Sequence, residues 1–295
     1  LLRPLSLDMT QVASHTIPFE FVHPTKSFFI SLCNFVGMKF SSETTILQLD
    51  SPLVTVGDIH GHYFDLIRIL QNCGHPSTTK YLFLGDLIDR GEYSFETVYL
   101  LFLMKACYPN NIFMIRGNHE FDSICSKYGF DRQLYSEYQD HRIYASIIKT
   151  FSYMPIAAVV DKVTICVHGG IGPDITSIDS LQTVKRPIDN FDDLILAPLF
   201  WSDPDSTVAD FILSPRGIGY KFGETNLLNF LEQSEAARIV RGHEFVSQGI
   251  LTLFDDRLVT IFSASNYCGT MGNDSAVLVM DPDGDDEIKR FPPLP

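Results

Sequence analysis

The sequence predicts a mixed α/β fold, parallel in its first half and antiparallel towards its end, and three observations carry that expectation. From Leu53 onward, short apolar runs alternate with amphipathic segments: LVTVGD (53–58), YLFLGD (81–86) and NIFMIRGNHE (111–120) flank two helical patterns. The polar strand ends at 58, 86 and 118 are 28 and 32 residues apart, close to the roughly 30 residues of a βαβ unit. The last third carries hairpin signals instead. TLF-DD-RLVTIF (252–262) and AVLVMD-PDG-DDEIKRF (276–291) place turn formers between alternating apolar segments, as antiparallel pairs require.

Each element has a local reason. In the first predicted helix, near Tyr63–Gln71, Phe64, Ile67 and Leu70 recur at one-face spacing. In the second, near Phe95–Ala106, Phe95, Val98, Tyr99 and Phe102 do the same, with Ser94 placed to cap. VTICVHGG (163–170) and RIVRGHE (238–244) are later strand-like runs that again end in polar residues. No repeat, low-complexity tract or Gly/Ser linker interrupts residues 27–295, so one catalytic domain is expected there, with 1–26 as a peripheral N-terminal segment.

Composition excludes several classes of function. The formal net charge is −14 with no Lys/Arg cluster, so a protein tracking nucleic-acid backbones would work against its own field. The longest wholly apolar runs, such as Val98–Met104, fall far short of the ~20 residues that span a bilayer. No membrane helix is expected. Leu1–Glu20 lacks the pattern of a secretory leader. Cys33, Cys73, Cys107, Cys125, Cys166 and Cys268 form no CxxC pairs, which reads as free thiols in a reducing compartment, the cytosol or the nucleus. The sequon Asn273-Asp274-Ser275 is short enough to arise by chance and is read as unused.

Five polar clusters share one grammar: GDIHG (57–61), GDLIDRG (85–91), RGNHE (116–120), HGG (168–170) and RGHE (241–244), each following an apolar strand. Ligands of open α/β sheets bind beyond the carboxyl ends of strands, so the five ends can converge on one site. They deliver Asp58, His60, Asp86, Asn118, His119, His168 and His243. A lone Gly-Asp after a strand is usually a turn, and a lone buried His usually satisfies a carbonyl. Five in succession, each with a ligand-type residue, are not explained that way. Carboxylates, imidazoles and an amide carbonyl suit Mn, Fe or Zn, and the absence of thiolates argues against a structural zinc site. If Asp86 bridges, one cation takes Asp58 and His60 and the other takes Asn118, His168 and His243. Such a pair activates a bridging water or hydroxide for direct attack on a phosphoryl group. His15, His23, His62, His75 and His141 lack such context and read as ordinary histidines.

Together with LFWSDPD (199–205), SPRGIGYKFG (214–223) and SASNYCG (263–269), these clusters resemble the signature segments of the phosphoprotein phosphatase family. That family includes the type-1, type-2A and calcineurin enzymes and belongs to the metallophosphoesterases. The resemblance covers about Ser27 to Phe291 and implies a central β-sandwich flanked by helices, with a di-metal site at strand ends. It implies two divalent cations (Mn, or Fe/Zn) on Asp58, His60, Asp86, Asn118, His168 and His243. It further implies His119 as the acid protonating the leaving oxygen, held by Asp89, with Arg90, Arg216, Tyr267 and Asn118 facing the substrate phosphate. The substrates it implies are phosphoserine and phosphothreonine proteins.

Four positions depart from the type-1 or type-2A pattern. Glu244 follows His243 where those enzymes read RAHQ, and Ser265 replaces their usual proline. Arg238 and Thr252 fall where type-1 enzymes place the apolar wall of a docking groove, which points regulatory subunits to other surfaces. Two alternatives follow. Another metallophosphoesterase, such as a dinucleoside polyphosphate hydrolase, shares the first three clusters. A phosphoprotein-binding pseudophosphatase shares the frame, although every ligand position here is filled.

Overall fold

A computed structural model describes residues 3–295. Its strands, in chain order, are β1 (Ile46–Leu49), β2 (Leu53–Val56), β3 (Tyr81–Phe83), β4 (Ile112–Met114), β5 (Ala157–Val160) and β6 (Thr164–Cys166). They continue with β7 (Asp203–Pro204), β8 (Ile212–Leu213), β9 (Tyr220–Phe222), β10 (Arg238–Arg241), β11 (Ile250–Leu253), β12 (Leu258–Ile261), β13 (Ser275–Met280) and β14 (Glu287–Phe291). One sheet runs β14-β13-β2-β3-β4, a second runs β1-β5-β6-β10-β12-β11, and a small third runs β7-β9-β8.

The two large sheets pack face to face through Leu53, Leu82, Leu84 and Ile115 on one side and Ala158, Cys166, Val240 and Val259 on the other, all buried in one cluster. The architecture is therefore a β-sandwich with helices outside. Helices Tyr63–Cys73, Ser94–Cys107, Lys26–Ser42 and His141–Ser152 cover the outer face of the β2–β4 sheet. Helix Glu224–Gln233 covers the other through Leu227, Phe230 and Leu231.

Two expectations change at this level. β2, β3 and β4 are parallel as predicted, and the two late hairpins are antiparallel. Yet β10, late in the chain, pairs parallel with both β6 and β12, because the sandwich needs a second set of strand ends at the same rim. The helical segments are not simply amphipathic either. From Ser94 to Lys105 nearly every residue of the second helix is buried, since other helices lie over the face that would otherwise meet water.

Ser94 does not act as the cap. Tyr93 is the N-cap and provides no side-chain bond; the Ser94 hydroxyl instead accepts the N–H of Asp89 at 3.0 Å. Residues 5–21 lie against the helical layer, with Met9 and Val12 buried and Phe19 and Phe21 packed among Tyr63, Phe64 and Tyr93. Among the described residues no helix is long and apolar enough to cross a membrane.

Candidate metal centre

Register brings the clusters together. Val56 pairs with Phe83 and Phe83 with Met114, so β2, β3 and β4 end level and release Asp58, Asp86 and Asn118 at one height. In the facing sheet Cys166 pairs with Val240, which does the same for His168 and His243. Asp58 also bridges in parallel to Phe262, just beyond β12. The turns are tight. Gly85, at φ +97°, faces Gly117 so closely that a Cβ would lie 2.3 Å from the Gly117 nitrogen. His60, Asp86, Asp89, Arg90 and His243 all hold positive φ, a concentration of strained backbone at one place.

The structure gathers Asp58, His60, Asp86, Asn118, His119, His168 and His243, all nearly or fully buried. His60 Nδ1 donates to the carbonyl of Ile88 at 2.9 Å. That leaves Nε2 facing Asp58 Oδ2 at 3.7 Å and Asp86 Oδ2 at 3.6 Å. His168 Nδ1 bonds Leu84 O at 2.9 Å, turning Nε2 to Asp86 Oδ1 at 3.3 Å. Such partners fix which nitrogen is offered to a ligand. Two donor groups result, His60–Asp86–His119 and Asp86–His168–His243, and Asp86 is common to both.

The donor set fits divalent cations. Asp58 Oδ2 is buried without a hydrogen-bond partner, a state that costs stability unless something compensates it, whereas His243 Nε2 lies 3.8 Å from Asp203 Oδ1 and leaves Nδ1 to the donor cluster. Asn118 Oδ1 lies 2.8 Å from His168 Nε2 and 3.1 Å from His243 Nδ1, and with His168 Nδ1 donating to Leu84 O a neutral His168 turns a lone pair towards the amide oxygen. Turned round, the amide would donate to Asp86 Oδ2 at 3.2 Å, which suits the cluster without a cation; the oxygen-inward orientation suits a cation among the three atoms. Electrostatics agrees. Burial pushes Asp58 up to about 7, reinforced by the Asp86 charge. Burial and the His119 charge push His60 down to about 3, which keeps it a neutral ligand. Burial opposes charge on His168, but Asp86 outweighs it and lifts the ring to about 9, so a proton occupies part of the room a cation would neutralise.

His119 lies against the His60 ring, centroids 4.8 Å apart, but has a different partner. Its Nδ1 bonds Asp89 Oδ2 at 2.7 Å, and Nε2 is 4.0 Å from Asp86 Oδ2. Burial works against its charge, yet Asp86 and Asp89 together hold it above the usual histidine value.

The remaining predicted residues rim the centre. Tyr267 packs its ring 5.4 Å from that of His60. The exposed Arg90 lies over the Tyr128 ring at 4.3 Å, and Arg216 Nε donates to Asp203 Oδ2 at 2.7 Å.

Three supporting residues have no role assigned to them by the sequence. Glu120, fully buried, accepts the N–H groups of Asp86, Leu87 and Gly117, each at 2.8 Å. Asp203 joins the buried Arg241, at 3.0 Å, to Arg216. Asn273 accepts the Tyr267 N–H at 2.7 Å and donates to Ala264 and Asp274 carbonyls, so its side chain is committed to the loop. Glu244, a departure in the sequence, pairs with Arg241 at 2.6 Å.

A sandwich whose two sheets deliver carboxylates, imidazoles and an amide to one rim is the frame of a metal-dependent phosphoesterase. The calcineurin-like phosphoesterase model matches residues 51–247. The phosphatase 6 catalytic subunit of Caenorhabditis elegans is 38% identical over 252 residues, 85% of this chain and 76% of that protein. The phosphatase 4 catalytic subunit of Saccharomyces cerevisiae is 38% identical over 250 residues, 85% of this chain and 81% of that protein. A solved serine/threonine phosphatase from the same yeast, described as similar to human phosphatase PP5, superposes with a TM-score of 0.87 at 27% identity, covering 92% of this chain and 91% of that one. The chain therefore belongs to the calcineurin-like phosphoesterase family, in its serine/threonine-protein phosphatase branch.

Proposed function

We propose that this protein hydrolyses phosphoserine and phosphothreonine in proteins. The observation that carries the reading is the meeting of a cation-type centre built on Asp86 with the His119–Asp89 pair beside it. Asp58, His60 and Asp86 would hold one divalent cation, and Asp86, Asn118, His168 and His243 a second, Mn or an Fe/Zn pair. When bound, such ions supply Lewis acidity towards the phosphoryl oxygens and a water nucleophile near neutral pH.

The protein's own groups do the rest. Asp89 accepts from His119 Nδ1 and so orients Nε2 into the centre, where its proton meets the departing serine or threonine oxygen. An alkoxide is a poor leaving group, and a positioned acid contributes about 10²–10⁴ in rate. Arg216, anchored through Nε by Asp203, and Arg90 present guanidinium nitrogens suited to phosphate oxygens. Tyr267 closes over His60.

Regulatory subunits engage surfaces other than a type-1 groove, a reading supported by Arg238, whose guanidinium is committed to Asp286 and Thr164. We place the protein in the cytosol or nucleus, which its unpaired cysteines favour. The test is hydrolysis of a phosphopeptide and of a dinucleoside polyphosphate by metal-stripped protein with Mn, Fe, Zn or Mg restored. Phosphopeptide turnover restored by metal supports the reading. Preference for the dinucleotide, or phosphopeptide binding without turnover, overturns it.

A further inference from the structure

Beside the catalytic centre a second buried polar network joins the end of the chain to the loop that carries Tyr267. Ser265 is 1% exposed. Its N–H donates to Asp65 Oδ2 at 2.7 Å, and its hydroxyl accepts the N–H of Leu294 at 3.1 Å. The other Asp65 oxygen accepts from Arg68 at 2.6 Å and from the Ser275 hydroxyl at 3.2 Å. Arg68 in turn donates to the carbonyl of Pro292 at 2.6 Å, and Asn266 Nδ2 to that of Leu294 at 2.9 Å.

Residues 292–294 are thus held at three backbone atoms, two of them by the consecutive residues Ser265 and Asn266. Asn266 takes a left-handed conformation at φ 42° and leads directly into Tyr267, whose ring faces His60. Any shift at Ser265 is passed to that ring along the backbone, through the two peptide units that flank Asn266.

We propose that Ser265 is a positioning residue: by clasping Asp65 on one side and Leu294 on the other, it fixes the height of Tyr267 over the substrate phosphate. The inference rests on the phosphatase reading for what Tyr267 faces, but the clasp is a claim about the loop itself. Loss of a contact made equally in ground and transition states raises KM and spares kcat. A general loss of stability lowers the active fraction instead and leaves KM alone.

The experiment uses the full chain with cations restored and three variants. Ser265→Ala removes the hydroxyl, Ser265→Pro also removes the N–H, and Leu294→Pro removes the opposing donor without touching Ser265. Phosphopeptide kinetics are read together with hydrogen–deuterium exchange over residues 264–273. Ser265→Ala and Leu294→Pro should each raise KM about 3- to 10-fold, the worth of one hydrogen bond, and Ser265→Pro about 10- to 100-fold because a buried carboxylate oxygen loses its donor. Exchange of the loop should quicken in all three. The Ser265→Ala/Leu294→Pro double variant should be no worse than either single one, because both cut the same bond. Unchanged KM with unchanged exchange, a fall in kcat and melting temperature at constant KM, or additive effects of the two single variants would each overturn the proposal. An inactive wild-type chain would remove the phosphatase reading, while the exchange data would still decide whether Ser265 holds the loop.

Discussion

The two ends of β10 are built on opposite terms. At its carboxyl end the chain delivers His243, whose Nδ1 lies 3.1 Å from Asn118 Oδ1 and whose N–H holds Asp58 Oδ1, while Asp58 Oδ2 is buried without a hydrogen-bond partner. At its amino end Arg238 is half-buried and paired, its guanidinium bonded through Nη2 to Asp286 and through Nε to Thr164 Oγ1. Both ends are polar, and only one is unfinished. A buried polar atom without a partner destabilises a fold by about 1–3 kcal/mol, so a carboxylate oxygen left bare beside His60 Nε2 and the other donors marks where a cation would complete the molecule. The satisfied charge at the other end asks for nothing and presents a closed surface.

If that contrast is right, the largest loss follows from changing the one residue shared by both donor groups. Asp86→Asn should abolish turnover, because the negative charge opposite His60 and His168 disappears while the amide still fits the turn. Metal analysis checks it. A variant that keeps two cations per chain and a near wild-type rate would show that Asp86 does not join two sites.

His119 sharpens the distinction between holding a cation and moving a proton, since distance alone groups it with His60 and Asp86. With Nδ1 engaged by Asp89, His119→Asn should retain both cations yet slow hydrolysis of serine phosphoesters by about 10²–10⁴. Aryl phosphates, whose leaving groups depart without much protonation, should lose far less. Equal losses on both substrates, or loss of a cation, would move His119 from acid to ligand.

The supports below the centre should matter less, and they are where the sequence is hardest to read. Strand-end clusters are legible because each joins an apolar run to a Gly-flanked polar residue, and the register of β2, β3 and β4 follows from the spacing of βαβ units. Glu120 has no such trace. Its work is to accept three backbone N–H groups from two turns, and backbone partners leave no pattern in side chains; a carboxylate straight after Asn-His in a buried turn is the only signal. Ser94 misleads for a related reason, because a serine at a helix start is equally suited to cap the helix or to hold the Asp89 loop. Asp203 is hidden in LFWSDPD until Arg241 is seen to be buried and in need of an acid. Glu120→Gln sets an NH₂ group against N–H donors and should cost about 1–3 kcal/mol of stability and weaken cation affinity about 10- to 100-fold. Thermal melts with and without cation, plus a metal titration, read both effects.

The smallest effect belongs to the finished end of β10, and it is one of binding without any change in catalysis. Type-1 phosphatases bind a short hydrophobic peptide in a groove whose apolar wall corresponds here to Arg238 and Thr252. Thr252 is exposed on β11, the edge strand of its sheet, and Arg238 is held across to Asp286 beyond β13. An apolar peptide laid there would cover the Thr252 hydroxyl and desolvate the Arg238–Asp286 pair without offering either a new partner. One such uncompensated group costs about 1–3 kcal/mol, a weakening of roughly 5- to 150-fold for a short peptide. A labelled type-1 docking peptide titrated against the purified protein should therefore bind weakly. Replacing Arg238 and Thr252 together with Leu and Phe should recover affinity while leaving phosphopeptide turnover unchanged, because neither residue touches the catalytic rim. Low-micromolar binding by the unaltered chain, competed by unlabelled peptide, would show that the satisfied end of the strand is as open to ligands as the unsatisfied one, and the contrast between the two ends would lose its meaning for partners.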